Sequence, residues 1–149
     1  MKSNNYMEVK FKAESVNESF ARVCVASFCL PLNPTIDEIN DIKTAVSEAV
    51  TNCVVHAYPK GMGDVVVRVE FDNNDVVISV SDEGVGIKDF QRAREPFYTT
   101  KPEEERSGMG FAVMESFMDD VQLQKNGEKG LKVVLRKTLR RGALSKQLC

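Results

Sequence analysis

The sequence predicts an α/β (α+β) two-layer sandwich, a mixed β-sheet beneath one layer of helices. Apolar residues alternate at period two in several short runs, while two long segments repeat them at steps of three and four. Clusters of Gly, Asn, Asp and Pro separate these runs. In order they read strand, two helices, hairpin, irregular stretch, helix, hairpin, which packs most simply as one sheet under one helical layer. The 149 residues are read as a single domain, residues 1–149, with a mobile basic tail from about 138 to 149.

Met7, Val9 and Phe11 alternate with Glu8, Lys10 and Lys12, so a strand opens the fold. Ser15 and Glu18 have the spacing of a capping box, predicting a helix that ends near Pro31. Its second half is apolar almost all round, and Arg22 is the only charge between Phe20 and Leu30. Such a helix needs cover on every side. Either the rest of the monomer supplies it or a second subunit does; Val25 is read as one of the outward positions. Arg22, isolated in this run, is assigned to a partner contact.

A second box, Thr35 with Glu38, starts a helix expected to reach about Ala57, before Pro59 and Gly61. Ile39, Ile42, Val46, Ala49, Cys53 and Ala57 form its core stripe, and Glu48, Asn52 and His56 form a polar stripe beside it. Val65, Val67, Val69 and Phe71 make a strand, Asp72-Asn73-Asn74-Asp75 a four-residue loop, and Val76, Ile78 and Val80 the return strand. A short helix is expected over 89–94 and a loop or lid over Glu95 to Pro102. Ser107-Gly108-Met109-Gly110 opens a helix with Phe111, Met114, Phe117 and Met118 facing inward. Val121 and Leu123, a turn at Asn126-Gly127, then Leu131, Val133 and Leu135 form the closing hairpin.

Composition narrows the function classes. Hydrophobic residues at 42% and charged residues at 28% describe an ordinary soluble domain, and a net charge of −2 gives no global attraction to nucleic acid or membrane. No run is long enough to span a bilayer, and Met1-Lys2-Ser3 begins no signal-peptide pattern. Cys24, Cys29, Cys53 and Cys149 lack a disulfide-framework spacing; the first three fall in apolar helical patterns and read as reduced core thiols of a cytoplasmic protein. Cys53-x-x-His56 lacks the four converging ligands of a structural zinc site.

The chemistry sits in three places. At the end of the second hairpin strand stands Asp82-Glu83-Gly84-Val85-Gly86. An Asp there can accept from the amino group of a flat heterocycle, and Gly84 and Gly86 let backbone bend and approach a ligand closely. Glu48 and Asn52 lie one helical turn apart: an Asn carbonyl suits Mg²⁺, and a nearby carboxylate can take a proton from a nucleophile or orient a water. Gly108-x-Gly110 at a helix start offers free N–H groups to phosphate. Each piece alone also fits a plainer role, as a solvated helix face or a tight turn. There is no P-loop and no protein-kinase signature set.

Taken in order, E-x-x-x-N, D-x-G-x-G, a lid and G-x-G resemble the N, G1 and G2 boxes of the GHKL ATP-binding superfamily, over about Asp37 to Leu135. The resemblance implies the GHKL (Bergerat-type) ATP-binding fold. Val46-Ser47-Glu48-Ala49-Val50-Thr51-Asn52, Pro96-Phe97-Tyr98-Thr99-Thr100-Lys101-Pro102 and Arg106-Ser107-Gly108-Met109-Gly110-Phe111 are similar to one branch, the anti-sigma-F serine kinases of sporulation. The length also leaves no room for a dimerisation domain with a phospho-accepting histidine, and His56 is not one.

What the resemblance implies is specific. The ligands would be ATP or ADP with Mg²⁺. Asp82 would bind the adenine amino group, Gly84 and Gly86 would form the pocket floor, Asn52 would hold Mg²⁺, and Glu48 would be the general base towards an incoming serine hydroxyl. Ser107, Gly108 and Gly110 would meet phosphates, with Thr99, Thr100, Lys101 and Arg106 as lid contacts. The partners would be a sporulation sigma factor, held inactive, and an anti-anti-sigma protein, phosphorylated on serine; the chain would be a homodimer, with no direct nucleic acid and no membrane contact. Two rivals are a GHKL ATPase whose Glu48 orients water and a nucleotide-gated sigma-binding module without catalysis. One departure stands out: many relatives carry Gly-Thr at the turn into the last strand, where the hydroxyl helps anchor adenine, and this sequence has Gly130-Leu131.

Overall fold

Local alternation builds the strands, and the number of helices between them sets how they pair. The computed structural model describes residues 5–58, 63–86 and 110–140. The described elements are β1 (Asn5–Lys12), α1 (Val16–Cys29), a 3₁₀ turn (Leu30–Leu32), α2 (Ile36–Asn52) with a π-helical turn (Cys53–Ala57), β2 (Asp64–Asp72), β3 (Asp75–Asp82), α3 (Gly110–Phe117), β4 (Asp120–Asn126) and β5 (Gly130–Thr138). The strands form one sheet in the order β1-β2-β3-β5-β4. Helix α2 lies between α1 and α3 and packs on both.

The expected mixed sheet is corrected: all pairings among the described strands are antiparallel. Two helices between β1 and β2 carry the chain back to the end of the sheet where β1 stopped, so Lys12 pairs with Asp64 and the strands oppose. Strands β3 and β4 do run the same way, as a helical crossover requires, but β5 is inserted between them. The split crossover removes the one parallel pair that the element order suggested.

One row shows how the core is assembled. Val9, Val67, Val80, Val133 and Leu123 are successive partners across the five strands, and the last four are buried beneath the helices with Val9 packed against them. The opposite face is wetter and carries Arg68 stacked 4.2 Å over the Tyr6 ring. Period-two patterning thus assigns each strand its inward side.

Helix starts divide into one success and one correction. At α2 both arms of the capping box form: the Glu38 N–H donates to Thr35 Oγ1 at 3.0 Å and the Thr35 N–H donates to Glu38 Oε1 at 2.9 Å. Glu38 Oε2 also accepts the Arg140 N–H at 3.0 Å. Burial disfavours the charge on Glu38, but these donors and nearby Lys137 outweigh it and hold its carboxyl below the ordinary value. Its contribution is therefore complete above the ordinary carboxylate pKa and fades as pH falls through the lowered one. Thr35→Ala should remove about 1 kcal/mol of stability. Thermal denaturation checks this, and an unchanged midpoint would show that the cap contributes nothing.

Ser15, by contrast, has helical backbone angles and makes no side-chain cap bond. Glu18 is instead paired with Arg22, at 3.4 Å. Other expectations shift in detail. The β2–β3 loop is a two-residue turn, because Asp72 and Asp75 still pair and Asn73 takes a positive φ of 58°. Val25, read as outward, is fully buried, since α1 presents Ala21, Val25 and Cys29 to the core. Phe117, at the last turn of α3, is partly exposed, while Phe111, Met114 and Met118 are buried. Cys24 is half-buried, unlike Cys29 and Cys53. The folded part extends past 138: Leu139 is buried and its N–H donates to the Asn74 carbonyl at 2.8 Å. The expected helix at 89–94, the lid, and residues 141–149 lie outside the described residues.

Candidate functional site

Parity explains why a carboxylate is buried at the end of β3. Val76, Ile78 and Val80 face the helices, and Asp82 is next on that side, opposite Val65 of β2. It is only 3% exposed. A buried charge is tolerated when donors surround it. Oδ1 accepts the Gly84 N–H at 2.9 Å and the Leu131 N–H at 3.3 Å; Oδ2 accepts the Cys53 thiol at 3.4 Å. The Asp82 carbonyl accepts Asn126 Nδ2 at 2.8 Å, which ties the β4–β5 turn to the same point. Two backbone donors occupy Oδ1, whereas Oδ2 meets one weak donor and retains acceptor capacity.

The end of α2 lies over this carboxylate. Burial first, then the Asp82 charge and the bond to it, push the Cys53 thiol well above its ordinary pKa, so it stays protonated and donates. Cys53 begins the π-helical turn, a geometry that recurs at functional sites. The turn's last carbonyl, of Ala57, accepts the Val85 N–H at 2.9 Å. Next to it the Tyr58 hydroxyl donates to the Asp64 carbonyl at 2.7 Å and accepts the Glu83 N–H at 2.8 Å. The segment after Asp82 is therefore fastened to both the helix end and the start of β2.

Three glycines make this closeness feasible. A Cβ on Gly84 would lie 2.1 Å from the Ala57 carbonyl oxygen, and one on Gly130 would lie 2.1 Å from the Asp82 carbonyl oxygen. Gly86 combines a φ of +73° with a Cβ position 2.0 Å from the Lys129 carbonyl oxygen. Any side chain at these positions would displace backbone at the site.

Asn52, His56, Ala57, Asp82, Gly86 and Leu131 line a cleft here. A carboxylate acceptor beside the apolar Ala57 and Leu131 suits the edge of a flat heterocycle bearing an amino group. Asn52, on the same wall, offers the carbonyl oxygen a hard cation takes. Among the described residues no group of three or more His, Cys, Asp or Glu side chains converges to hold a metal ion.

The structure brings together Asn52, Asp82 and Gly86 in one cleft, with Gly84 behind the carboxylate. Glu48 is half-buried one turn before Asn52 and is not part of that lining. Gly110 is the first residue of α3. Thr99, Thr100, Lys101, Arg106, Ser107 and Gly108 lie outside the described residues. Arg22 Nη1 donates to Glu18 Oε1 and to Ser47 Oγ, each at 3.4 Å, and so stands beside the turn of α2 that carries Glu48. Sequence reasoning placed Gly130-Leu131 near the adenine through the family likeness, but missed the Cys53 thiol and the Leu131 N–H as donors to Asp82. Leu131 lines the cleft with an apolar side chain while its backbone N–H donates to Asp82.

Residues 11–137 match the histidine kinase-like ATPase domain family. The chain is 51% identical to the anti-sigma F factor of Caldanaerobacter subterraneus subsp. tengcongensis over 141 residues, covering 95% of this chain and 99% of that protein. It is likewise 51% identical to the anti-sigma F factor of Bacillus subtilis (strain 168) over 146 residues, covering 97% and 98%. Among solved structures it is similar to the RsbU and RsbW domains of Rv1364c from Mycobacterium tuberculosis, with a TM-score of 0.65, 19% identity, and coverage of 91% of this chain and 32% of that one. It is also similar to the catalytic domain of the histidine kinase ThkA, with a TM-score of 0.54, 16% identity, and coverage of 89% and 97%. At these identities the two structural likenesses establish the fold alone.

Proposed function

The chain belongs to the histidine kinase-like ATPase family and, within it, to the anti-sigma F factors, and on that footing we propose that it is an anti-sigma factor with ATP-dependent protein serine kinase activity. It binds and inhibits a sporulation sigma factor, and it phosphorylates and inactivates an anti-anti-sigma partner in the cytoplasm. The observation that carries the reading is the buried Asp82 carboxylate, saturated on Oδ1 and still able to accept on Oδ2 at an apolar cleft. That arrangement suits the amino edge of adenine.

In this mechanism Asp82 accepts from the base, with Gly84 and Gly86 letting backbone close around it. The Asn52 carbonyl oxygen would hold the metal and Gly108-x-Gly110 would meet the phosphates, joined by Ser107 and the lid residues Thr99, Thr100, Lys101 and Arg106. Mg²⁺, when bound, neutralises charge on the phosphate oxygens. Glu48 takes the proton from the serine hydroxyl as its oxygen bonds the transferred phosphoryl group and ADP leaves. Mixing the protein with γ-labelled ATP and a serine-bearing anti-anti-sigma protein tests the reading. Label on partner serine is expected; label only as free phosphate would make it an ATPase, and no transfer would leave a binding module.

We also propose a homodimer. Phe20 and Val23 on α1 and Leu30, the first residue of the following 3₁₀ turn, are 51%, 57% and 60% exposed, and β1 is an edge strand. Phe20 packs edge-on against Phe11 of that strand, so helix and edge form one apolar surface. Val23→Asp, at an outward position, should dissociate the dimer in sedimentation; an unmodified protein that sediments as a monomer at micromolar concentration would end the idea. Arg22 is proposed as a partner contact because it lies beside the Glu48 turn. Arg22→Ala should weaken sigma or anti-anti-sigma binding with ATP affinity unchanged, and normal binding to both would remove it from the interface.

A further inference from the structure

Among the described residues the Asp82 carboxylate is held by three donors, and only one of them is a side chain. The Gly84 and Leu131 N–H groups both bond Oδ1, which leaves the carboxylate able to rock about that oxygen. Cys53 Sγ, 3.4 Å from Oδ2 and 1% exposed, restrains the other oxygen. Oδ2 is the oxygen with acceptor capacity left, and Asp82 lines the same cleft as Asn52, the residue next to Cys53. Among the described residues the thiol is thus the one side chain that sets the direction of the acceptor.

We propose that Cys53 is a positioning residue for base selection, its thiol orienting Asp82 Oδ2 so that the site prefers a purine with a 6-amino group. The inference rests on the assignment of Asp82 to adenine. A thiol is a weak donor, so it fixes the carboxylate without using up its capacity to accept from the base. A purely structural Cys53 would fill space in the core, and its loss would weaken every nucleotide alike. A positioning Cys53 would weaken only those whose base offers the amino group.

The test compares ATP with purine riboside triphosphate, which lacks that group, by calorimetry on the full chain. The unmodified protein should bind ATP more tightly. Cys53→Val, which stays apolar, is one heavy atom larger and removes the donor, should weaken ATP roughly five- to tenfold, as loss of one ordinary hydrogen bond would. Its affinity for the purine analogue should stay within about twofold, the discrimination falling with the lost bond alone. Cys53→Ser should restore the preference. Cys53→Ala reads the same quantity should the valine variant fail to fold. Equal weakening of both ligands, or of neither, would overturn the proposal and leave Asp82 in place. An unmodified protein that binds the two triphosphates equally would overturn the Asp82 assignment itself, and Cys53 with it.

Discussion

Glu48→Gln should reduce phosphotransfer to a partner serine by roughly 10²–10⁴-fold, the usual contribution of a positioned general base. A serine hydroxyl is a poor nucleophile at neutral pH, and glutamine keeps the shape of the side chain while removing its basicity. Because Glu48 lies a turn before Asn52 and outside the lining of the Asp82 cleft, Mg²⁺–ATP affinity should stay within a few-fold and sigma binding should persist. Asn52→Ala should behave differently, lowering both the rate and the Mg²⁺-dependent part of ATP affinity. Single-turnover transfer and calorimetry on the same proteins separate the two. A Glu48→Gln protein with normal transfer would refute the base assignment, and one that no longer binds ATP would make Glu48 structural.

Asp82→Asn should weaken ATP and ADP together, by about 1–3 kcal/mol, or roughly 5- to 150-fold. An asparagine oxygen can still accept the Gly84 and Leu131 N–H groups that hold Oδ1. The amide NH₂ then falls where Oδ2 was, and presents a donor to the adenine amino group and to the Cys53 thiol. The fold keeps its backbone bonds while the base meets a mismatch. ATP and ADP should suffer equally, because the proposed contact is to the base and not to phosphate. Equal affinities for the unmodified and substituted proteins would place adenine elsewhere.

Much of this was legible in the residues because it depends on short-range physics. A capping box at Thr35 needs only one turn of chain, and both of its bonds form. Period-two alternation puts Val76, Ile78 and Val80 on the core side and so predicts the burial of Asp82 two residues later. Of the predicted stripe, Ile42, Val46, Ala49, Cys53 and Ala57 are buried as their spacing requires, and Ile39 at its start is half-buried. The family motifs are short and continuous in sequence too, which is why Glu48, Asn52, Asp82 and Gly86 could be named from the chain.

Other features were settled only by tertiary contact. Ser15 has the same box spacing as Thr35, yet Glu18 is drawn to Arg22 and the cap does not form. Val25 and Val23 are alike in an apolar run, and only the packing of α1 against its neighbours makes one core and the other surface. The antiparallel sheet follows from β5 entering between β3 and β4, a pairing no local pattern encodes. The same event delivers the Leu131 N–H to Asp82 across 49 residues, and the end of α2 delivers the Cys53 thiol across 29. Local sequence determined which residues face inward and which carry the motifs. Which donors converge on the buried carboxylate was decided by strand order, because contacts between distant segments depend on how the whole sheet and helix layer close together.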